Sequence, residues 1–154
     1  MKPHKSIYIL LVLVIGIPVF ISGCYAPGSQ HNHEMAGHNV LSNAVRQADA
    51  TTQDAYRFAI ANPESLANVP CYCGCGYLGH VNNLDCYIVA DQESEDIVFD
   101  HHALDCRICV DITQDVMRYL DQGRSNDEIY ILIEETYSTF GPSNMEQHTT
   151  PSSN

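Results

Sequence analysis

The stretch "ALDCRICVDITQDVMRYLDQGRSNDEIYILIEETY", residues 103–137, carries the pattern on which the fold turns. Leu104, Ile108, Ile112, Val116, Tyr119 and Leu120 fall within one broad face of a helix. Gly123 is placed to end that helix, because glycine enters the left-handed backbone region without steric cost. Ser125 followed by Glu128 is a capping-box pattern, in which each side chain satisfies an otherwise unpaired backbone amide. Ile129, Leu132, Ile133, Thr136 and Tyr137 then repeat at i, i+3, i+4, i+7 and i+8. A connection this short makes the two helices antiparallel neighbours.

Working outward, Leu41, Val45 and Ala48 begin an amphipathic pattern that Tyr56, Ala59 and Ile60 continue. That helix should stop near Asn62, since Pro63 disfavours helical geometry in the residue before it. Pro63 can itself start a short helical turn through "PESLANV". Residues 87–90 and 96–99 read either as a last helical turn or as two short strands around an acidic loop. The expected fold is mainly α: a small irregular helical bundle over residues 40–140, with a Cys-rich loop and room for a short β-hairpin.

The flanks differ in character. Lys2 and Lys5 precede the apolar run "IYILLVLVIGIPVFI", residues 7–21, a basic n-region followed by a secretory h-region too short for an ordinary membrane span. The run ends in Ile21-Ser22-Gly23-Cys24, which resembles the bacterial lipobox. That resemblance implies a signal peptide over residues 1–23, lipidation of Cys24, and a protein held on the extracytoplasmic face of the cell membrane by its lipid. Residues 24–39 have no apolar periodicity and read as a flexible tether bearing His31, His33, Met35 and His38. Residues 141–154 are equally polar and read as a disordered tail.

Charge narrows the partners. The formal net charge is −12, and loss of the two leader lysines takes it to −14, leaving Arg46, Arg57, Arg107, Arg118 and Arg124 as the fixed cations. This balance argues against nucleic acid and against electrostatic attachment to anionic lipid, and favours cationic partners, metal ions included. No G-x-S-x-G, H-E-x-x-H or Gly-rich phosphate loop appears.

Of seven cysteines, setting Cys24 aside leaves Cys71, Cys73, Cys75, Cys86, Cys106 and Cys109. An even number in an exported chain is compatible with disulfides. Neighbours in a C-x-C are awkward disulfide partners, however, so Cys71, Cys73 and Cys75 would each need a distant mate. In an extended stretch alternate side chains share a face, which lets those three sulfurs point together. Cys106 and Cys109 stand at i and i+3 near a helix start, where the helix N-terminus should favour thiolate. His80, His101 and His102 lie close to cysteines in sequence.

Thiolates with imidazoles suit Cu(I) or Zn(II) and suit Mg, Ca or Mn badly. Structural zinc takes four ligands, leaving about two sulfurs over, whereas a polynuclear Cu(I) site can share thiolates between ions. His31, His33, Met35 and His38 form a weaker imidazole and thioether set for secondary metal capture. The reading is a membrane-anchored protein for copper capture, buffering or delivery, with zinc second and a metal transporter or metalloprotein as recipient. An extracytoplasmic thiol–disulfide oxidoreductase using Cys106 and Cys109, and a disulfide-stapled interaction domain, stand as alternatives.

Two resemblances accompany this reading. Pro70-Cys71-Tyr72-Cys73-Gly74-Cys75, the later Gly79-His80, the lone Cys86 and the segment "ALDCRICVDI" resemble the bacterial PCYCGC-motif lipoproteins. That resemblance implies an exported lipoprotein and brings no activity with it. Cys106-Arg107-Ile108-Cys109 and the turn from Gly123 to Ile129 are similar to the thiol-oxidoreductase subunit of cytochrome c maturation, which would make Cys106 and Cys109 a redox pair. No C-x-x-C-H is present for covalent haem attachment.

Overall fold

A computed structural model describes residues 32–89 and 96–145. The leader, Cys24, His31, residues 24–31 of the tether, Ala90 and the acidic loop, and residues 146–154 of the tail lie outside the described residues. Among the described residues are six α-helices: α1 (Asn43–Arg46), α2 (Ala50–Ala61), α3 (Pro63–Ala67), α4 (His102–Asp105), α5 (Arg107–Asp121) and α6 (Asn126–Tyr137). Two short strands, β1 (Ile88–Val89) and β2 (Val98–Phe99), pair antiparallel with Ile88 opposite Phe99 and Val89 opposite Val98. The mainly helical fold with a small hairpin is therefore as the periodicity implies.

The elements form for local reasons. The capping box at Ser125 and Glu128 is made from both sides, with the Glu128 carboxylate accepting from the Ser125 amide at 2.9 Å. Gly123 adopts φ 75°, a left-handed conformation that turns the chain between α5 and α6. Pro63 opens α3 directly after Asn62. One difference lies in the first helical pattern, which divides into α1 and α2. Asp49 accepts from the Thr52 amide at 3.1 Å and from its hydroxyl at 2.7 Å, so it caps a new helix. A second division falls at Cys106, whose extended backbone (φ −118°, ψ 96°) separates α4 from α5.

The core lies where α2 crosses α5 and α5 runs beside α6. Val45, Ala55, Phe58, Ala59, Leu66, Ile112, Val116, Ile129 and Ile133 are buried there. Each large aliphatic or aromatic side chain so buried contributes about 1.5–3 kcal/mol. Tyr56 packs edge-on to Tyr87 with ring centroids 4.9 Å apart, and its hydroxyl donates to the Asp100 carbonyl at 2.8 Å. This pair links α2 to the hairpin and to the start of α4. The N-terminal end of α5 consequently faces the Cys-rich loop.

The polar flanks are tied down in their described parts. Asn62 accepts from the Glu34 amide at 3.3 Å and donates to the Glu34 carbonyl at 2.7 Å. The Ala36 amide donates to the Arg57 carbonyl at 3.2 Å, and the Arg57 guanidinium donates back to the Ala36 carbonyl at 2.6 Å. Within the segment read in sequence as tether, Glu34 and Ala36 are thus tied to Asn62 and Arg57, and Asn32 and His33 to Asp121 at the end of α5. At the other end, Asn144 reaches the Cys-rich loop. Neither attachment has an apolar period: the C-terminal one is made by Asn144, and the N-terminal one by hydrogen bonds together with single contacts of His33 and Met35.

Candidate metal centre

Three segments bring the sulfurs together. Residues 69–86 form a loop closed by the Asn83 amide donating to the Val69 carbonyl at 2.8 Å. Within it, Gly74 at φ 84° turns the chain so that Cys75 folds back beside Cys71. Cys86 closes a single helical turn, residues 84–86, just ahead of β1. Cys106 caps the start of α5, Cys109 lies in its first turn, and His102 opens α4. Cys71, Cys75, Cys86 and Cys109 are buried, and Cys73 and Cys106 are half-buried. All six described cysteines are free thiols.

The sulfurs touch in one continuous cluster. Cys71 Sγ lies 3.4 Å from both Cys73 Sγ and Cys109 Sγ. Cys109 Sγ is also 3.4 Å from Cys86 Sγ and 3.5 Å from Cys73 Sγ. Cys75 Sγ is 3.8 Å from Cys86 Sγ, and His102 Nε2 is 3.4 Å from Cys73 Sγ. Two sets emerge, Cys73–His102–Cys106–Cys109 and Cys71–Cys75–Cys86, each with its ligand atoms within 4.8 Å of one another. Such Cys and His groups can hold a metal ion, since metal–sulfur bonds of about 2.3 Å place the sulfurs of a tetrahedral site about 3.8 Å apart.

Charge within the metal-free cluster is uneven. A hydrogen bond from Cys109 holds Cys71 down at about 4, and hydrogen bonds from Cys106 and Cys109 hold Cys73 well below the ordinary thiol value. The neighbours bear the cost. Cys109 is raised by Cys106, Cys71 and Cys73, and Cys75 is raised by Cys71 and Cys73. At Cys86 the Cys109 hydrogen bond lowers the value, but Cys71, Cys73 and burial raise it overall. Cys106 behaves alike: Cys109 lowers it, while Cys73 and burial leave it raised. Against the expectation that the helix N-terminus favours thiolate there, Cys106 and Cys109 both lie above the ordinary thiol value. Their neighbouring sulfurs and burial outweigh the helix end, while Cys71 and Cys73 are lowered by the hydrogen bonds they receive.

A polar frame surrounds the sulfurs. Asn144 accepts from the Cys71 amide at 2.7 Å, and its own amide donates to the Cys71 carbonyl at 3.1 Å. Its side-chain nitrogen donates to the carbonyls of His80 and Asn82 at 3.2 Å each and to Cys75 Sγ at 3.6 Å. On the far side the Tyr87 hydroxyl donates to the Cys109 carbonyl at 2.8 Å. Thr113 Oγ1 stands 2.8 Å from that hydroxyl and accepts from Asn83 Nδ2 at 2.9 Å. Asp100 accepts from the His102 amide at 2.7 Å, and its other oxygen lies 3.4 Å from His80 Nε2.

The sequence therefore named all six cysteines and His102, which the fold unites. His80 stands behind them, edge-on to His102 with ring centroids 5.3 Å apart. His101 is exposed and belongs to neither set. Of the secondary capture residues, His33 is buried to 4% side-chain exposure, with Nδ1 3.1 Å from Asp121, and packs edge-on to Phe58. Met35 lines the same pocket with His33 and Met117, whereas His38 is exposed and is not among its lining residues. Asn144, Tyr87, Thr113 and Asp100 were not found from sequence. For Asn144, Tyr87 and Thr113 the signal is a long-range hydrogen bond, which leaves no local pattern, whereas Asp100 bonds the amide two residues on.

A small helical domain with a thiol-rich, histidine-bearing centre is the class that this fold and site define. The chain belongs to the family described as "Protein of unknown function with PCYCGC motif", which it matches over residues 19–151. No curated protein and no solved structure shows a significant match. The similarity to the cytochrome c maturation subunit receives no support from these comparisons.

Proposed function

We propose that this protein is a lipid-anchored, extracytoplasmic soft-metal-binding protein that captures, buffers or delivers copper as Cu(I), with zinc second. One observation carries the reading: six free thiols and one imidazole converge in a single cluster at the edge of the core. Soft thiolates select Cu(I) and Zn(II) over hard cations. The leader and the lipobox-like sequence ending at Cys24 support attachment through lipid, with a metal transporter or a metalloprotein as recipient. No helix of the described residues is long and apolar enough to cross a membrane.

The test is metal content and free-thiol count on protein purified without air. Copper or zinc should be bound, thiol reactivity should rise when the metal is stripped, and loading should release protons. Six reactive thiols that ignore both Cu(I) and Zn(II) would sink the metal reading. The anchor is tested separately, since Cys24→Ala should abolish palmitate labelling and normal cleavage.

A further inference from the structure

The cluster is not uniform, and its asymmetry has chemical content. The set Cys73–His102–Cys106–Cys109 has four ligands, one of them nitrogen, and three of its members are only half-buried. The set Cys71–Cys75–Cys86 has three ligands, all sulfur and all buried. Cys109 belongs to the first set yet lies 3.4 Å from two sulfurs of the second, Cys71 and Cys86. One sulfur is thus within reach of both.

We infer that the centre holds two metal ions of different class, Zn(II) in the Cys73–His102–Cys106–Cys109 half and Cu(I) in the Cys71–Cys75–Cys86 half, with the Cys109 thiolate shared between them. This rests on the soft-metal reading above and adds the stoichiometry and the division of labour. Three sulfurs and one imidazole match the four-coordinate, closed ligand sets of structural zinc. The buried half offers no imidazole: its three thiolates and the bridging Cys109 are sulfur throughout, the softest donor set in the centre and the one that favours Cu(I). Thiolates alone satisfy Cu(I).

The surroundings match this division. Asn144 Nδ2 donates to Cys75 Sγ at 3.6 Å, an outer hydrogen bond that steadies a thiolate in the buried half. The Asp100 carboxylate accepts from the His102 amide and so fixes the start of α4, from which the one imidazole reaches Cys73. Tyr87 holds the Cys109 carbonyl, which sets the backbone beneath the shared sulfur. Each half therefore has its own positioning residue, and the bridge has a third. Loading exchanges thiol protons for metal, so both ions enter with proton release and neither requires an oxidant.

The test titrates the reduced full-length protein with Zn(II) and then Cu(I), reading bound ions by native mass spectrometry and the zinc half by Co(II) substitution. The wild type should take one Zn(II), give a tetrahedral Co(II) spectrum with thiolate charge transfer, and then add one Cu(I) without releasing zinc. His102→Ala should weaken zinc at least tenfold and leave the Cu(I) in place. Cys86→Ala and Cys75→Ser should each lose the Cu(I) and keep the Co(II) spectrum, which also reports that the variant is folded. Cys109→Ser should weaken both ions. Saturation at a single ion, stoichiometric expulsion of zinc by the first Cu(I), or loss of the same ion from His102→Ala and Cys86→Ala would overturn the two-ion centre while leaving soft-metal binding intact. A protein that binds neither ion would overturn both.

Discussion

The α5–α6 hairpin and the loop of residues 69–86 meet at Cys109, but they hold their shapes by different means. The hairpin is built from local rules. An amphipathic stripe, a left-handed glycine and a two-sided cap all act within a few residues of one another. The loop has only single helical turns of its own, at residues 75–78 and 84–86. It is held by Asn144, by the Asn83–Val69 hydrogen bond and by sulfur contacts to another helix. Regular structure therefore frames the centre, and the ligands come mostly from the part that cannot frame itself.

Metal removal should open the widest gap between the two regions. Structural ions can contribute on the order of 10 kcal/mol to folding of the segments they bind. Stripping the metal should accelerate amide exchange across residues 69–86 and leave residues 112–137 protected. Equal loss of protection in both regions would show that the loop and the hairpin are held by the same interactions.

Asn144→Ala should come next. It removes the acceptor of the buried Cys71 amide and the donor to two carbonyls of the loop, a loss of roughly 2–3 kcal/mol. Chemical denaturation should show that loss, and metal affinity should fall with it. An unchanged metal affinity would show that the C-terminal segment does not position the sulfurs.

The pH dependence sharpens the contrast for reduced, metal-free protein. Cys71, at about 4, and Cys73 lie below their ordinary value of 9.0, so they bind fewer protons folded than unfolded. Their contribution is complete above pH 9 and is lost as pH falls toward 4. Cys75, Cys86, Cys106 and Cys109 lie above that value, so their contribution is complete below pH 9 and is lost as pH rises past it. Denaturation midpoints taken at successive pH values should therefore fall on the alkaline side of 9. A midpoint still climbing at pH 10.5 would contradict the upward shift of these four thiols.

The smallest effect should come from the hairpin. Ser125→Ala removes the cap of α6 and should cost about 1 kcal/mol. Metal stoichiometry should not change, because Ser125 stands at the opposite end of α5 from Cys109. A change in bound metal would mean that the hairpin and the centre are coupled more tightly than their hydrogen bonds indicate.

Helix positions were legible because the hydrophobic period and the caps are local. The sequence pattern placed the end of α2 before Pro63 and the start of α6 after Ser125, as found. It did not divide α1 from α2, although Asp49 is a cap residue, because the apolar spacing runs through the break. Nor did it divide α4 from α5 at Cys106. There the chain changes course while the apolar face continues, from Leu104 to Ile108.

By itself the sequence determined a mainly helical domain, an acidic balance, and a set of soft ligands clustered around residues 71–86 and 102–109. Tertiary structure alone decided which sulfurs touch, which are buried, and that His102 rather than His101 joins them. It also brought Asn144 across the molecule to the Cys71 backbone. The physical reason is range. Helix periodicity and capping are enforced between residues one turn apart, so they are written in order along the chain. The convergence of Cys71, Cys86 and Cys109 is enforced by the packing of α5 against α2 and the loop, and that packing depends on the whole core.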